Sequence, residues 1–244
     1  MIEFGPLLAI KWEMLAWSPP GWGGNLVWGL FITFQIALGA YILGLLLGLG
    51  GAMGKLYGGP VTRAVLDGYT TLIRAIPELV LILFLYYAGT DLLNRALEGM
   101  GYQRISISGL IAGIYVLGFV QGAYSTEVFR GAIQAIPIGQ IEAAKAYGMP
   151  FWLRFRRIIL PAMLPFAIPG MANLWLIVTK GSALIAVVGY AELTLTTRQA
   201  AGNTKMYFTF FMVAFILYLL VSLISQKGFK LLENKFRVGQ RSLS

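Results

Sequence analysis

The chain has 244 residues, 58% hydrophobic and 12% charged, about half the charge of an average soluble domain, which excludes a water-facing enzyme and a disordered chain. It contains no Cys and no His, which removes disulfides, thiolate nucleophiles, Ser-His-Asp triads and Cys- or His-ligated metals. The net charge of +9 sets orientation in a polytopic membrane protein; no basic run is interleaved with aromatics, as a nucleic-acid groove would need.

Residues 1–22 hold Glu3, Glu13 and Pro19-Pro20 without a basic n-region, so they do not read as a cleavable signal peptide. Leu7, Leu8, Ile10, Met14, Leu15 and Trp17 suit an extracytoplasmic interfacial helix over Pro6–Trp17. A membrane crossing needs about 20 mostly apolar residues, and the first such run is Asn25–Met53. Within it Ala40, Gly44 and Gly48 recur every fourth position, a flat stripe along which a second helix can approach. The glycines that follow do not make a nucleotide motif: Met53 stands where the last glycine of a dinucleotide fingerprint belongs, and Leu56 follows Gly54-Lys55 where Ser or Thr is required.

The second run, Val65–Gly89, is interrupted by Arg74, Ile76-Pro77 and Glu78. An ion inside a bilayer is a functional candidate by default. Pro77 frees backbone groups, and the Glu78 carboxylate, expected toward the outer half, could hold the ammonium or guanidinium of a basic substrate. It could equally pair with Arg74, four residues earlier on the same face. Asp91–Met100, with Leu92, Leu93, Ala96 and Leu97 among charges, predicts a short interfacial helix. The third run, Ile107–Phe129, repeats the small-residue spacing at Gly118 and Gly122 and offers Gln121 and Tyr124 as pore-lining candidates. At its end Glu127 and Arg130 sit three apart, as a local ion pair or helix-end anchor, or as part of a transport path.

Ala135–Gly139 then breaks the helix, and Gln140–Tyr147 is a run of helix formers stopped by Gly148 and Pro150. A helix of about eight residues does not persist alone in water, so it docks. It is either a surface turn between two crossings or a preformed peg for a cytoplasmic partner, with Ile141, Ala144, Tyr147 and Gly148 along one side. The fourth run lies within Leu160–Val188, with Pro161, Pro165 and Pro169 at its start and Asn173 and Lys180 further on. Lys180 could meet a substrate carboxylate or an acid of a partner chain. The fifth run is Met206–Ser225, followed by a basic tail, 227–244. With the N-terminus outside, inside segments carry twelve Lys and Arg and outside segments five, so the positive-inside rule predicts N-terminus out and C-terminus in. The reading is all-α: one transmembrane domain, 23–226, with five crossings and no internal repeat.

Glu142-Ala143-Ala144, then Gly148, then Ile159-Leu160-Pro161 resembles the E-A-A…G…I-L-P signature of ATP-binding-cassette importer permeases. Thr71–Leu79 resembles the T-x-x-R-G-x-P-x-L segment of the polar amino acid permeases, with Ala75 in place of Gly, and Glu127–Ala132 resembles their E-x-x-R-G-A segment. The resemblance runs from about Asn25 to Gly239, and is strongest to permeases of histidine/lysine/arginine/ornithine and octopine/nopaline importers. It implies a type I importer core of five helices in a bacterial inner membrane. It also implies a related second permease as partner, two copies of a cytoplasmic ATPase that carry the ATP and magnesium, and a periplasmic binding protein. This chain would itself hold no cofactor, metal or catalytic residue. In that scheme residues 140–148 are a coupling helix, with Glu142, Ala143, Ala144, Gly148 and Pro161 as the coupling residues. Arg74, Glu78, Gln121, Tyr124, Asn173 and Lys180 remain substrate-path candidates, and Pro77, Glu127 and Arg130 structural or gating ones. The alternative is an ion-gradient carrier with Glu78 or Glu127 as the cation site, but such carriers rest on inverted repeats and need no docking helix. An intramembrane enzyme would need catalytic groups that the composition lacks.

Overall fold

The computed structural model describes residues 12–105 and 107–236, and among these every regular element is helical. In chain order come α1 (Gly23–Tyr57), α2 (Pro60–Ala75), α3 (Glu78–Gly99), α4 (Gly109–Gln134) and α5 (Ile138–Ala146). α6 (Phe151–Arg154) passes through a π turn, Phe155–Ile159, into α7 (Leu160–Gly181), which tightens into a 3-10 segment, Ser182–Val188. α8 (Leu193–Thr204) and α9 (Tyr207–Phe236) complete the described chain. Five stretches are long and apolar enough to cross a membrane: α1, α3, α4, Phe151–Val188 and α9. The expected number of crossings is met.

Two boundaries differ from expectation. The expected run Val65–Gly89 is divided between α2 and α3, joined at Ile76-Pro77, where Ile76 is extended (φ −95°, ψ 139°), and the stretch long and apolar enough to cross is α3 alone. Pro77 has no N–H, and its ring keeps the preceding residue out of the helical region. Asp91–Met100 forms no separate interfacial helix, because nothing between Glu78 and Gly99 breaks α3. Asp91 and Arg95 instead pair at 2.8 Å along its surface. The expected helix over Pro6–Trp17 lies mostly outside the described residues, and its described part is a 3-10 turn, Trp12–Leu15. Lys11, Arg237 and Arg241 lie outside them too.

The small-residue stripe does what its spacing implies. α1 and α4 run parallel: Gly39 meets Ile114, Gly44 meets Gln121, Gly48 meets Ser125, and Gly51 meets Thr126. From α4, Gly118 receives Leu43 and Gly122 receives Leu47 and the Tyr69 hydroxyl. α7 closes this pair through Trp175, packed edge-on against Tyr41 at 5.3 Å between ring centroids. The Tyr41 hydroxyl donates to the Met171 carbonyl at 3.0 Å. A second apolar cluster, with Ala52, Phe129, Ile133, Phe155, Ile159 and Met163, lies at the end nearest α5.

At the opposite end α8 is held by a residue the sequence reading did not single out. Glu192 is fully buried and caps α8 by accepting from the Leu195 N–H at 2.9 Å. It also accepts from the Tyr218 hydroxyl of α9 at 3.1 Å, and lies 3.2 Å from Thr33 Oγ1 of α1. Burial pushes its carboxyl above the usual range, while hydrogen bonds from the Thr194 and Leu195 backbone and the Tyr218 and Thr33 side chains pull the other way.

Candidate coupling helix and substrate path

α5 follows α4 after only three residues, Ala135–Pro137. Ala144 is buried beneath it, and Ile141 packs against the cluster of Phe129, Phe155 and Ile159. Glu142 and Ala143 are exposed. Tyr147 does not share a side with buried Ala144: it is the C-cap residue and is 87% exposed. Gly148 is left-handed (φ +71°). Its N–H donates to the Lys145 carbonyl at 2.9 Å, and the Met149 N–H donates to the Ala144 carbonyl at 3.1 Å. These are the two bonds of a Schellman stop, whose left-handed residue favours glycine. Pro161 stands just inside α7, after the π turn in which the Leu160 N–H bonds the Phe155 carbonyl. Because Pro161 has no proton for the residue four before it, the widened turn forms where an α bond is missing.

The α2–α3 break sets Glu78 in the first turn of α3, against the end of α7. A methyl group on Gly181 would lie 2.8 Å from Glu78 Oε1 and 3.7 Å from Leu117 Cδ2. Leu117 is roughly 12 Å along α4, a helix about 39 Å long at 1.5 Å per residue, so Glu78 stands inside the bundle and not at its rim. Lys180, next to Gly181, is exposed on the bundle surface, as is Asn173, seven residues earlier on the same face of α7. Among the described residues neither Glu78 nor Lys180 forms an ion pair. Arg74 does not answer Glu78: it stays on α2, with its Nε donating to the Thr70 carbonyl at 3.1 Å. An unpaired ion near the middle of a bilayer costs about 3 kcal/mol on insertion scales. Glu78 and Lys180 thus leave two charges of opposite sign without an ion-pair partner among the described residues.

The other candidates sort differently. Gln121 is 3% exposed and lines no open path; its amide donates to the Leu174 carbonyl at 3.1 Å, tying α4 to α7. Tyr124 is half-buried between the two apolar clusters flanking α4. Glu127 accepts from Arg130 Nη2 at 2.8 Å, and Arg130 Nη1 reaches Gln134 at 2.9 Å, so these residues form a local anchor. That anchor also holds Lys55 of α1 and, through it, Asp67 and Thr70 of α2. The sequence carries no local signal for this cluster, since its members lie on three helices.

Residues 40–238 match the family described as binding-protein-dependent transport system inner membrane components. The histidine/lysine/arginine/ornithine transport system permease protein HisQ of Salmonella typhimurium is 40% identical over 219 residues, covering 90% of this chain and 96% of that protein. The nopaline transport system permease protein NocQ of Agrobacterium fabrum is 39% identical over 231 residues, covering 94% and 98%. An amino acid ABC transporter crystallised with histidines superposes with a TM-score of 0.73 at 28% identity, over 87% of this chain and 94% of its own. A chain of the MetNI methionine transporter, at 20% identity and a TM-score of 0.74, shares the fold over 90% and 99%. The five crossings and these matches lead to one conclusion: the chain belongs to the family of binding-protein-dependent transport system inner membrane components and is the permease subunit of an ABC importer.

Proposed function

We propose that this permease imports basic amino acids or opines across a bacterial inner membrane, with its N-terminus outside and the α5 end facing the cytoplasm. The observation that supports the substrate class is the junction of α3 and α7, where Glu78, without an ion-pair partner among the described residues, lies against Gly181, the residue after the likewise unpaired Lys180. A basic amino acid brings two cations and one carboxylate. Glu78 takes a cation, Lys180 takes the carboxylate, and Asn173 lends a neutral hydrogen-bonding side chain on the same face. The substrates named for the similar HisQ and NocQ proteins, basic amino acids and nopaline, carry these groups.

A related second permease covers the face bearing Lys180 and Asn173, two ATPase copies dock at the α5 end, and a binding protein delivers substrate at the α8 end. α5 is the coupling helix, with Glu142, Ala143 and Tyr147 exposed to the ATPase. Nucleotide-driven closure of the ATPases then rocks the helices between inward and outward states.

The test is uptake of arginine and of glutamine by the reconstituted complex. Glu78→Gln should lower arginine uptake at least tenfold and glutamine uptake by less than threefold. Lys180→Met should lower both, since both substrates carry the carboxylate. Equal losses of the two substrates in Glu78→Gln would assign Glu78 a structural role and sink the substrate reading.

A further inference from the structure

The proposed drive enters through α5 and the proposed substrate site lies at Glu78. Along the chain α5 follows the end of α4, whereas Glu78 follows the end of α2. Something must make α2 follow α4. Other contacts supply part of that grip: Thr70 and Ile73 are the buried residues of α2, and Tyr69 leans on the Phe119 ring and donates its hydroxyl to the Phe119 carbonyl.

Lys55 supplies the rest. Its side chain is only 7% exposed, and its ammonium has three N–H donors and no acceptor. Three acceptors surround it, each at 2.7 Å: Asp67 Oδ1 and Thr70 Oγ1 on α2, and Glu127 Oε1 on α4. All three donors are used, and they join α1 to both neighbours at one point. Arg130 and Gln134 extend the cluster along the last turns of α4, directly before the link to α5. From Thr70 it is about 7.5 Å along α2 to Ala75 at 1.5 Å per residue, and Glu78 follows just across the break.

We infer that Lys55 is a positioning residue for transport: its ammonium fastens α2 to α4, so that displacement of α4 by the coupling helix also moves the segment carrying Glu78. This rests on the coupling-helix and substrate-site readings above. Without the ammonium, α2 keeps its apolar contacts with α4 and the one hydrogen bond from the Tyr69 hydroxyl to the Phe119 carbonyl, and ATP-driven closure proceeds without re-aiming Glu78. A point charge with tetrahedral donors suits three acceptors on two helices; the planar fork of arginine serves them less well but keeps the charge.

The experiment reconstitutes the complete importer in vesicles and reads ATP hydrolysed per substrate imported. ATP-dependent uptake by the wild-type complex checks the functional reading independently. With Lys55→Gln the assembled complex should hydrolyse ATP within twofold of wild type while the ratio rises at least tenfold, and Lys55→Arg should bring the ratio back to within about threefold. An unchanged ratio in Lys55→Gln, or equal losses of hydrolysis and uptake, overturns the inference. If Lys55→Gln does not assemble, Asp67→Ala with Thr70→Ala removes the α2 acceptors and leaves Glu127 paired. A raised ratio there supports the fastening role, and a wild-type ratio overturns it.

Discussion

Gly48→Val should abolish accumulation of folded permease, whereas Gly50→Val, two residues along the same helix, should leave it near the wild-type level. At Gly48 an added Cβ would stand 2.2 Å from Ser125 Cβ, 2.7 Å from the Ser125 carbonyl carbon and 2.9 Å from the Thr126 nitrogen. Two of these are backbone atoms of α4 and cannot turn aside, so α1 and α4 must separate. In a membrane, helix association rests on close packing, because lipid tails are as apolar as the side chains they replace. Overpacking a core by a methylene or two costs about 1–3 kcal/mol, and here the loss spreads to the Gly44 and Gly51 contacts on the same seam. At Gly50 nothing lies within 4 Å of the added carbon, so valine there meets lipid or open space. Fluorescence-detected size exclusion of detergent extracts measures both variants. Equal losses would show that the seam does not carry the assembly.

The second large effect is at the coupling helix. Gly148 has open space around an added Cβ, so a substitution acts through backbone strain and not through a clash. Holding an L-residue in the left-handed region costs roughly 1–2 kcal/mol, least for Asn and most for a β-branched residue. Gly148→Val should therefore unwind the stop, release the Met149 N–H from the Ala144 carbonyl and lower ATP-driven uptake about tenfold, while Gly148→Asn keeps uptake within threefold. Co-purification of the ATPase with each variant separates lost docking from lost transport. If Val and Asn behave alike, the cap conformation is not what the ATPase reads.

What could be read in the sequence was local. The five crossings follow from apolar run length, the α5 stop from Gly148 and Pro150, and the break in the second run from Pro77. Each needs only rules acting over a few residues. Asp91–Met100 misled because its charges suggest an interface, yet a helix already under way continues through charges that can pair one turn apart, as Asp91 and Arg95 do. α8 went unread because its start depends on Glu192, whose burial depends on Thr33 and Tyr218, far away along the chain. The charged residues in and beside the crossings could be itemised one by one, but their pairing is tertiary. Glu127 reaches back to Lys55, and Glu78 meets the end of α7. Arg74, the partner that sequence spacing offers Glu78, stays on its own helix.

The extended link at Ile76-Pro77 makes α2 and α3 two levers on a shared pivot. An unbroken helix tilts as one rod, so any swing in one leaflet is mirrored in the other. With the backbone ladder interrupted, the arm before Pro77 can swing with α1 and α4 through an angle that the far end of the arm after it need not share. Glu78 occupies the first position past the pivot, so a swing of the first arm reaches its carboxylate before it reaches the rest of α3.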